Sequence, residues 1–258
     1  MEALWDNDGG MINPTPFIQS THNMAAATVA LALGCKGYNM TYTNNSNSFE
    51  SALLDGILYL NENPTHRILI GGLDEISEKT MAFWNTVGYV SSKNPQIPPN
   101  LNPETEGEVI SEGTAFFVAS SEKSKNCIGV VSAVHTKFEV ENTEEFILTF
   151  LEDNGISVND LDAVILGING DSRYDGIYRK VSESIFNQIL QIVYKNILGE
   201  FDTASSLAVE MALKFFQNQQ IPEILRFNEI QENSFQRILI YNQRRGKNHS
   251  LILLENES

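Results

Sequence analysis

The sequence is short of histidine, cysteine and basic residues, and each shortage narrows the possible functions. Among 258 residues there are 4 histidines and 2 cysteines. Cys35 and Cys127 cannot form a disulfide framework and lack metal-site spacing, so we interpret both as structural residues in apolar surroundings. Only 17 basic residues accompany 33 acidic ones, for a net charge of −16. This charge argues against binding to nucleic acid or anionic membrane, and we expect no metal and no cofactor.

Long apolar runs and a leader sequence are also missing. The longest apolar run, residues 24–35, is too short to span a bilayer. The first six residues contain no basic group, so they do not resemble an export signal. We therefore predict a cytoplasmic protein without a membrane span. A hydrophobic content of 42% over 258 residues is typical of one large globular domain or two fused halves.

Residues 37–75 predict a strand, a sharp turn, a helix and a second strand. The β-forming residues 37–43 lead into a polar turn, in which Asn47 or Ser48 can cap a helix. The apolar residues that follow have helical spacing: Phe49, Leu53, Ile57, Leu58 and Leu60. A buried strand then enters a glycine pair at 71–72. Many enzymes place a nucleophile where a strand turns abruptly into a helix, because the helix N-terminus offers free N–H groups.

The rest of the chain alternates between helical and strand patterns in two halves, 1–122 and 123–258, which favours an α/β architecture. An apolar helix from Ser20 or Thr21 to Gly34 is expected to be buried, because apolar residues cover nearly all of its faces. Residues 80–102 are expected to form an irregular surface excursion. The other predicted helices are 143–152, 177–198 and 205–216, and the other strands are 127–134, 162–166, 237–241 and 250–254, the last two joined by a polar turn at 242–249.

The run GGLDE at 71–75, with the preceding turn and helix, resembles the nucleophile region of the β-ketoacyl synthases of the thiolase fold. In that family a catalytic cysteine lies at the elbow, and a strand ending in Gly-Gly-x-Asp/Glu follows the helix. Counting back without gaps from Gly71 places Ser46 at the cysteine position. Segments 16–27 and 107–118 are similar to two further family segments. The resemblance implies a thiolase-like layered α/β fold whose first half lacks its initial strand–helix–strand.

The family's catalytic histidines are replaced in this sequence. Asn169 stands where a His-Gly-Thr motif begins, and Glu200 ends a Lys-x-x-x-Gly-His motif that keeps its lysine as Lys195. In the final glycine-rich loop, Arg244 stands at the position of a gating phenylalanine, while Gly246 and Asn248 match the family. His22 falls on a capping turn, so we expect no chemical role for it. Because a serine without an adjacent base is barely ionised, we expect no functional catalytic residues.

The resemblance implies a β-ketoacyl-ACP synthase-like protein of fatty acid or polyketide-type biosynthesis. We expect a non-catalytic subunit, similar to chain-length factors, that partners an active synthase. The alternatives are a divergent 3-oxoacyl-ACP synthase or thioester hydrolase that uses Ser46, and a scaffold that retains only the fold. A homodimer or heterodimer is expected through residues 37–43, where Tyr38, Met40 and Tyr42 suit an interface. An acyl carrier protein is expected to bind through the partner.

Overall fold

The computed structural model describes residues 15–92, 104–232 and 234–257. The chain forms two compact units, residues 1–43 and 44–258. The described part of the smaller unit, residues 15–43, contains two helices, α1 (Thr15–Gln19) and α2 (Met24–Leu33). Helix α2 ends at Gly34, whose positive φ of 67° is the left-handed conformation that glycine adopts without steric cost.

The start of α2 differs from the prediction. The Ser20 and Thr21 hydroxyls donate to carbonyl oxygens at the end of α1, so neither residue caps the second helix. Asn23 is the N-cap, and its side chain makes no capping hydrogen bond. The predicted burial of α2 is also wrong, because none of the described residues of this unit is buried. The same holds for Cys35, which is exposed.

The strand predicted at residues 37–43 is absent from the smaller unit, since these residues have no strand hydrogen bonding. Their β-forming side chains favour an extended backbone, but a strand also needs a neighbouring strand to pair with. Tyr38 and Met40 are exposed, each by 54%. The proposed use of this segment as a dimer interface remains a prediction.

The larger unit carries the remaining elements. Its helices are α3 (Ser48–Glu62), α4 (Glu78–Thr86), α5 (Thr143–Asp153), α6 (Gly176–Glu183), α7 (Lys195–Leu198) and α8 (Ser205–Asn218). Its strands are β1 (Arg67–Asp74), β2 (Gly113–Ser120), β3 (Gly129–Lys137), β4 (Ala163–Leu166), β5 (Leu190–Val193), β6 (Arg237–Arg244) and β7 (Lys247–Asn256). Two 3₁₀ turns lie at Val158–Asp160 and Glu223–Leu225. The domain boundary expected between residues 122 and 123 remains a prediction.

Five strands form the central sheet in the order β3-β7-β6-β4-β5. Strand β4 is parallel to both β5 and β6, while β7 is antiparallel to β6 and β3. Every residue of β4 and β5 is buried, as expected for strands covered on both faces. The helix predicted over 177–198 is therefore wrong in its middle, because a strand at Leu190–Val193 separates the helices Gly176–Glu183 and Lys195–Leu198. Its apolar run at 190–193 is a buried strand of only four residues, too short to show a period.

Helices cover both faces of this sheet. On one face, Phe49 of α3 and Val209 of α8 belong to the same apolar cluster as Ile165 and Ile240. On the other face, Ile147 of α5 packs in a second cluster with neighbouring strand residues. Near the N-terminus of α3, Glu50 is hydrogen-bonded to Ser250 of β7, so this end of the helix is attached to the central sheet. The predicted helices near 143–152 and 205–216 are confirmed, as are the strands at 127–134, 162–166, 237–241 and 250–254.

Two connections are more regular than predicted. Strands β6 and β7 form a tight hairpin in which Arg245 and Gly246 have positive φ, so the expected turn at 242–249 is shorter. The predicted excursion over 80–102 includes helix α4, whose N-cap Ser77 accepts a hydrogen bond from the Thr80 amide at 3.1 Å. Residues 93–102 of that prediction lie outside the described residues.

Strands β1 and β2 form a separate two-stranded antiparallel sheet, paired from Arg67↔Ser120 to Asp74↔Gly113. One face of this sheet lies against helices. A Cβ on Gly72 would stand 2.9 Å from Ser206 of α8, and one on Gly56 of α3 would stand 2.5 Å from Ile70. No helix within the described ranges has the length and apolar character needed to cross a membrane.

Candidate functional site

Ser46 lies in a sharp turn just before α3. Asn45 has a positive φ of 47°, and the Asn47 and Ser48 amides donate back to the carbonyls of Asn44 and Asn45, each at 3.0 Å. The Ser46 hydroxyl is buried and has no hydrogen-bond partner among the described residues. The turn therefore presents a serine at the helix N-terminus without a base that accepts its proton.

The end of β4 leads into a loop held by two buried carboxylates. Asp175 accepts hydrogen bonds from the Gly170 amide at 2.7 Å and from the Asn169 amide at 3.4 Å. Burial raises the pKa of Asp175 to about 7, although these amides favour its charged form. Asp171 is fully buried and pairs with Arg173 at 2.6 Å. This loop fixes the position of the Asn169 side chain.

Asn169, Lys195 and Glu200 are in direct contact. The Asn169 Nδ2 and Lys195 Nζ atoms each donate to Oε2 of Glu200 at 2.8 Å. Side-chain exposure is only 4% for Lys195 and 1% for Glu200. Burial acts to raise the pKa of Glu200, but Lys195 and Arg244 outweigh it and hold that pKa below its usual value. The pair is thus a buried ion pair with an amide donor.

Arg244 and the fully buried Glu108 extend this group into what we call the ion cluster: Asn169, Lys195, Glu200, Arg244, Arg245, Glu108 and Asp202. Oε2 of Glu108 lies 3.2 Å from Arg244 and 3.0 Å from Arg245. Arg244 also contacts Asp202. Burial and the charge of Glu200 raise the pKa of Glu108, although both arginines oppose this. Arg244 thus pairs with the buried Glu108, and its charge also acts on Glu200.

The backbone of residues 109–111 is hydrogen-bonded to the backbone of Glu200 in the ion cluster. The Glu200 amide donates to the Val109 carbonyl at 2.7 Å, and the Ser111 amide donates to the Glu200 carbonyl at 3.0 Å. The Arg245 guanidinium lies 3.5 Å from the centre of the Tyr89 ring, a cation–π distance. Glu108 and Arg245 were not singled out from the sequence. Their contact joins residues 137 positions apart, and no local pattern signals such a contact.

Glu50 connects α3 to the same region. Its Oε1 accepts a hydrogen bond from Ser250 at 2.9 Å, and the residue is completely buried. Burial raises the pKa of Glu50, while hydrogen bonding and the charge of Lys195 act in the opposite direction.

The remaining predicted positions lie on the hairpin between β6 and β7. The Gly246 amide donates to Gln243 at 2.6 Å, and the Asn248 amide donates to Phe138 at 2.8 Å. These contacts shape the turn. Of the predicted loop residues, Arg244 is the one placed in the ion cluster.

The three histidines of the larger unit have other partners. His66 bonds to the Tyr59 hydroxyl and His249 to the Tyr241 hydroxyl, each at 2.9 Å. His135 lies against the Phe146 ring, with the ring centres 5.4 Å apart. None of the three contacts a residue of the ion cluster, so this cluster has no imidazole from the described part of the larger unit.

Comparison with known proteins bears on the same segments. Residues 1–124 match the family model described as the β-ketoacyl synthase N-terminal domain. A β-ketoacyl synthase from Burkholderia phymatum STM815 superposes with a TM-score of 0.81 at 14% identity, over 100% of this chain and 72% of that one. The chain has a β-ketoacyl synthase-like fold.

Two further structures share this synthase-like fold. One is a ketosynthase in complex with its chain length factor from Xenorhabdus doucetiae, with a TM-score of 0.79 at 14% identity, over 98% of this chain and 69% of that chain. The other is an oxazolomycin ketosynthase domain from Streptomyces albus JA3453, with a TM-score of 0.75 at 15% identity. The match covers 93% of this chain and 51% of the oxazolomycin ketosynthase domain, so this chain spans about half the length of that structure. No curated protein sequence matches this chain.

Proposed function

We propose that this synthase-like chain is a non-catalytic subunit of the chain-length-factor type, which pairs with an active ketosynthase in fatty acid or polyketide-type biosynthesis in the cytoplasm. The buried ion cluster is the observation that carries the proposal. Two of its residues, Asn169 and Glu200, stand at the sequence positions that match the family's catalytic histidines, and its charged side chains are paired with one another.

Condensation requires groups that stabilise negative charge as it develops on the thioester oxygen. Here Glu200 and Glu108 supply negative charge, and the cations beside them are already paired with these carboxylates. An anion next to a developing enolate raises the reaction barrier. The cluster therefore supports a structural role for these positions.

The serine at the elbow supports the same conclusion. A serine nucleophile needs an adjacent base to remove its proton, and the Ser46 hydroxyl has no partner among the described residues. The alternative of a divergent acyltransferase or hydrolase requires such a base. A scaffold role is the outcome if no ketosynthase binds to the chain.

The purified chain is expected to show no condensation of acyl and malonyl carriers above background. Ser46→Cys is expected to leave this unchanged, because Asn169 and Glu200 still supply no imidazole. Condensation is measured from the radiolabelled product, and formation of an acyl-enzyme is measured by intact-mass spectrometry. Since Cys35 is exposed, every variant carries Cys35→Ser so that adventitious acylation does not count.

Ser48→Cys, two residues further along the same turn, is the matched control for nonspecific labelling. Turnover by the unmodified chain, or acylation of Ser46 above the level at Ser48, would show that the chain is an enzyme and overturn the proposal.

The partner is expected to bind through residues 37–43, as the exposure of Tyr38 and Met40 supports. In a pull-down of the tagged full chain from its native cell, an active ketosynthase is expected to elute in equal amount. Met40→Glu is expected to reduce this ketosynthase at least tenfold, because a buried unpaired charge at an interface costs several kcal/mol.

Ile224→Glu is the matched control, since Ile224 is an equally exposed apolar side chain in the larger unit. Equal recovery of the ketosynthase with both variants would contradict the interface. Recovery of no ketosynthase with the unmodified chain would contradict the subunit role.

A further inference from the structure

An amine and a side-chain amide share one hydrogen-bond acceptor in the ion cluster. The Lys195 Nζ and Asn169 Nδ2 atoms each donate to the same oxygen of Glu200, Oε2, at 2.8 Å. Lys195 and Glu200 are buried, so this contact is shielded from bulk water. Because one oxygen accepts both bonds, the lysine nitrogen lies beside the carboxamide of Asn169.

Two neighbouring strands hold these groups at one edge of the central sheet. Strands β4 and β5 run parallel, and their last residues, Leu166 and Val193, are paired. Asn169 lies in the loop after β4, and Lys195 begins the helix after β5. The carboxylate of Asp175 accepts hydrogen bonds from the backbone of the Asn169 loop. Groups fixed side by side in this way react far faster than the same groups meeting in solution.

The carboxamide oxygen of Asn169 has a donor of its own. The Asp171 amide donates to Asn169 Oδ1 at 3.2 Å. When a nucleophile attacks Cγ of a carboxamide, negative charge develops on this oxygen, and a fixed backbone N–H stabilises that charge. The site therefore combines a nucleophile, a proton carrier and an oxyanion donor around one carbon atom.

We propose that Lys195 and Asn169 become joined by an isopeptide bond in the folded chain, with Glu200 as the proton carrier. Glu200 takes a proton from the Lys195 ammonium group, and the neutral amine attacks Cγ of Asn169 to form a C–N bond. Glu200 then passes this proton, and a second one from the attacking nitrogen, to Nδ2, and the Cγ–Nδ2 bond breaks. The products are an amide with one N–H and an ammonium ion. Nothing is oxidised or reduced, and no other reactant is needed.

The bond is expected to accumulate slowly. Lys195 and Arg244 hold the pKa of Glu200 below its usual value, so the first proton transfer is unfavourable. Each molecule reacts once, and the reaction does not depend on whether the chain pairs with a ketosynthase. Chains that have not reacted keep the ion pair between Lys195 and Glu200, so stability measurements that depend on this pair use chain of the unreacted mass.

Intact-mass spectrometry of the purified full-length chain follows the reaction. During incubation at neutral pH, an increasing fraction of the folded chain is expected to lose the mass of one ammonia. In this fraction trypsin is expected not to cleave after Lys195, and the digest is expected to contain a branched peptide that joins the segments of Asn169 and Lys195. The chain unfolded in urea is expected to form no branched peptide, because unfolding separates the two groups.

Two variants identify the nucleophile and the proton carrier. Lys195→Arg keeps the positive charge but lacks the amine, and it is expected to form no cross-link. Glu200→Gln keeps the size of the side chain but cannot carry the proton, and it is expected to slow cross-linking at least about tenfold. Lys180→Arg, at the exposed lysine that pairs with Glu144, is the matched control and is expected to react like the unmodified chain.

Attack by the Gly170 amide nitrogen on Asn169 would also release ammonia, and it would give a succinimide that hydroxylamine cleaves. Ammonia loss that persists in Lys195→Arg, or a product that hydroxylamine cleaves, would overturn the proposal in favour of that reaction. An unmodified chain that keeps its starting mass, and that trypsin cleaves after Lys195, would also overturn it. Circular dichroism identifies any variant that fails to fold, and the branched peptide from the unmodified chain decides the question without a variant.

Discussion

Replacing Lys195 by methionine is expected to lower the free energy of unfolding by about 3–5 kcal/mol, because it leaves a buried carboxylate without its cation. Glu200 is 1% exposed and lies 2.8 Å from the lysine nitrogen. The Asn169 donor carries no charge, and Arg244, which also favours the charged form of Glu200, is itself paired with Glu108 and Asp202. Urea denaturation followed by circular dichroism measures the change. Lys195→Met/Glu200→Gln removes both charges, and this double variant is expected to be more stable than Lys195→Met.

Lys180→Met is the matched control for this experiment. Lys180 pairs with Glu144 at 3.8 Å, and its side chain is 59% exposed. Since exposed pairs contribute about 1 kcal/mol or less, this variant is expected to unfold within about 1 kcal/mol of the unmodified chain. A similar loss for both lysine variants would contradict the role given to burial.

Between pH 5 and 7.5 the protein is expected to lose about 2.5 kcal/mol of stability through Asp175 alone. Burial raises the pKa of this carboxyl from 3.8 to about 7 in the folded chain. In this pH window the folded state keeps a proton that the unfolded state has released. Stability from Asp175 is therefore present at low pH and is lost as the pH rises through about 7.

Asp175→Asn removes this proton exchange and is the direct test. The free energy of unfolding is measured at pH 5 and pH 7.5 for both proteins. Glu50 and Glu108 also have raised pKa values, so the variant is expected to keep part of the pH dependence. The change in the free energy of unfolding between pH 5 and pH 7.5 is expected to be larger for the unmodified chain than for Asp175→Asn, and the difference is the contribution of Asp175. An equal change in both proteins would contradict the raised pKa of Asp175.

Elements with a strong local signal were predicted correctly from the sequence. Helix α5 has an N-cap whose side chain bonds in the first turn, Asn142, and it buries apolar residues at helical spacing, Phe146, Ile147, Phe150 and Leu151. Strand β5 was missed because its four buried residues adjoin helical sequence on both sides. Its conformation is determined by parallel pairing with β4, a contact that no local pattern reveals.

The candidate site was predictable where motifs mark it. Asn169, Lys195 and Glu200 were located through short segments that resemble a known family, and the structure brings these three side chains into contact. Glu108 is in the ion cluster because chain segments more than a hundred residues apart meet there. The pKa of Glu108 is raised mainly by burial. Burial depends on the folded structure and cannot be predicted from the residues next to Glu108 in the sequence.

The position of β7 has a consequence for synthesis of the protein. Strand β7 lies between β3 and β6 in the central sheet, so β3 has no partner in the described sheet until β7 has been made. About 110 residues separate the end of β3 from the start of β7. A ribosome adds about 5–20 residues per second, so β3 waits for roughly 5–20 seconds. During that interval the nascent chain carries an unpaired strand, and an unpaired strand is a template for pairing with another chain.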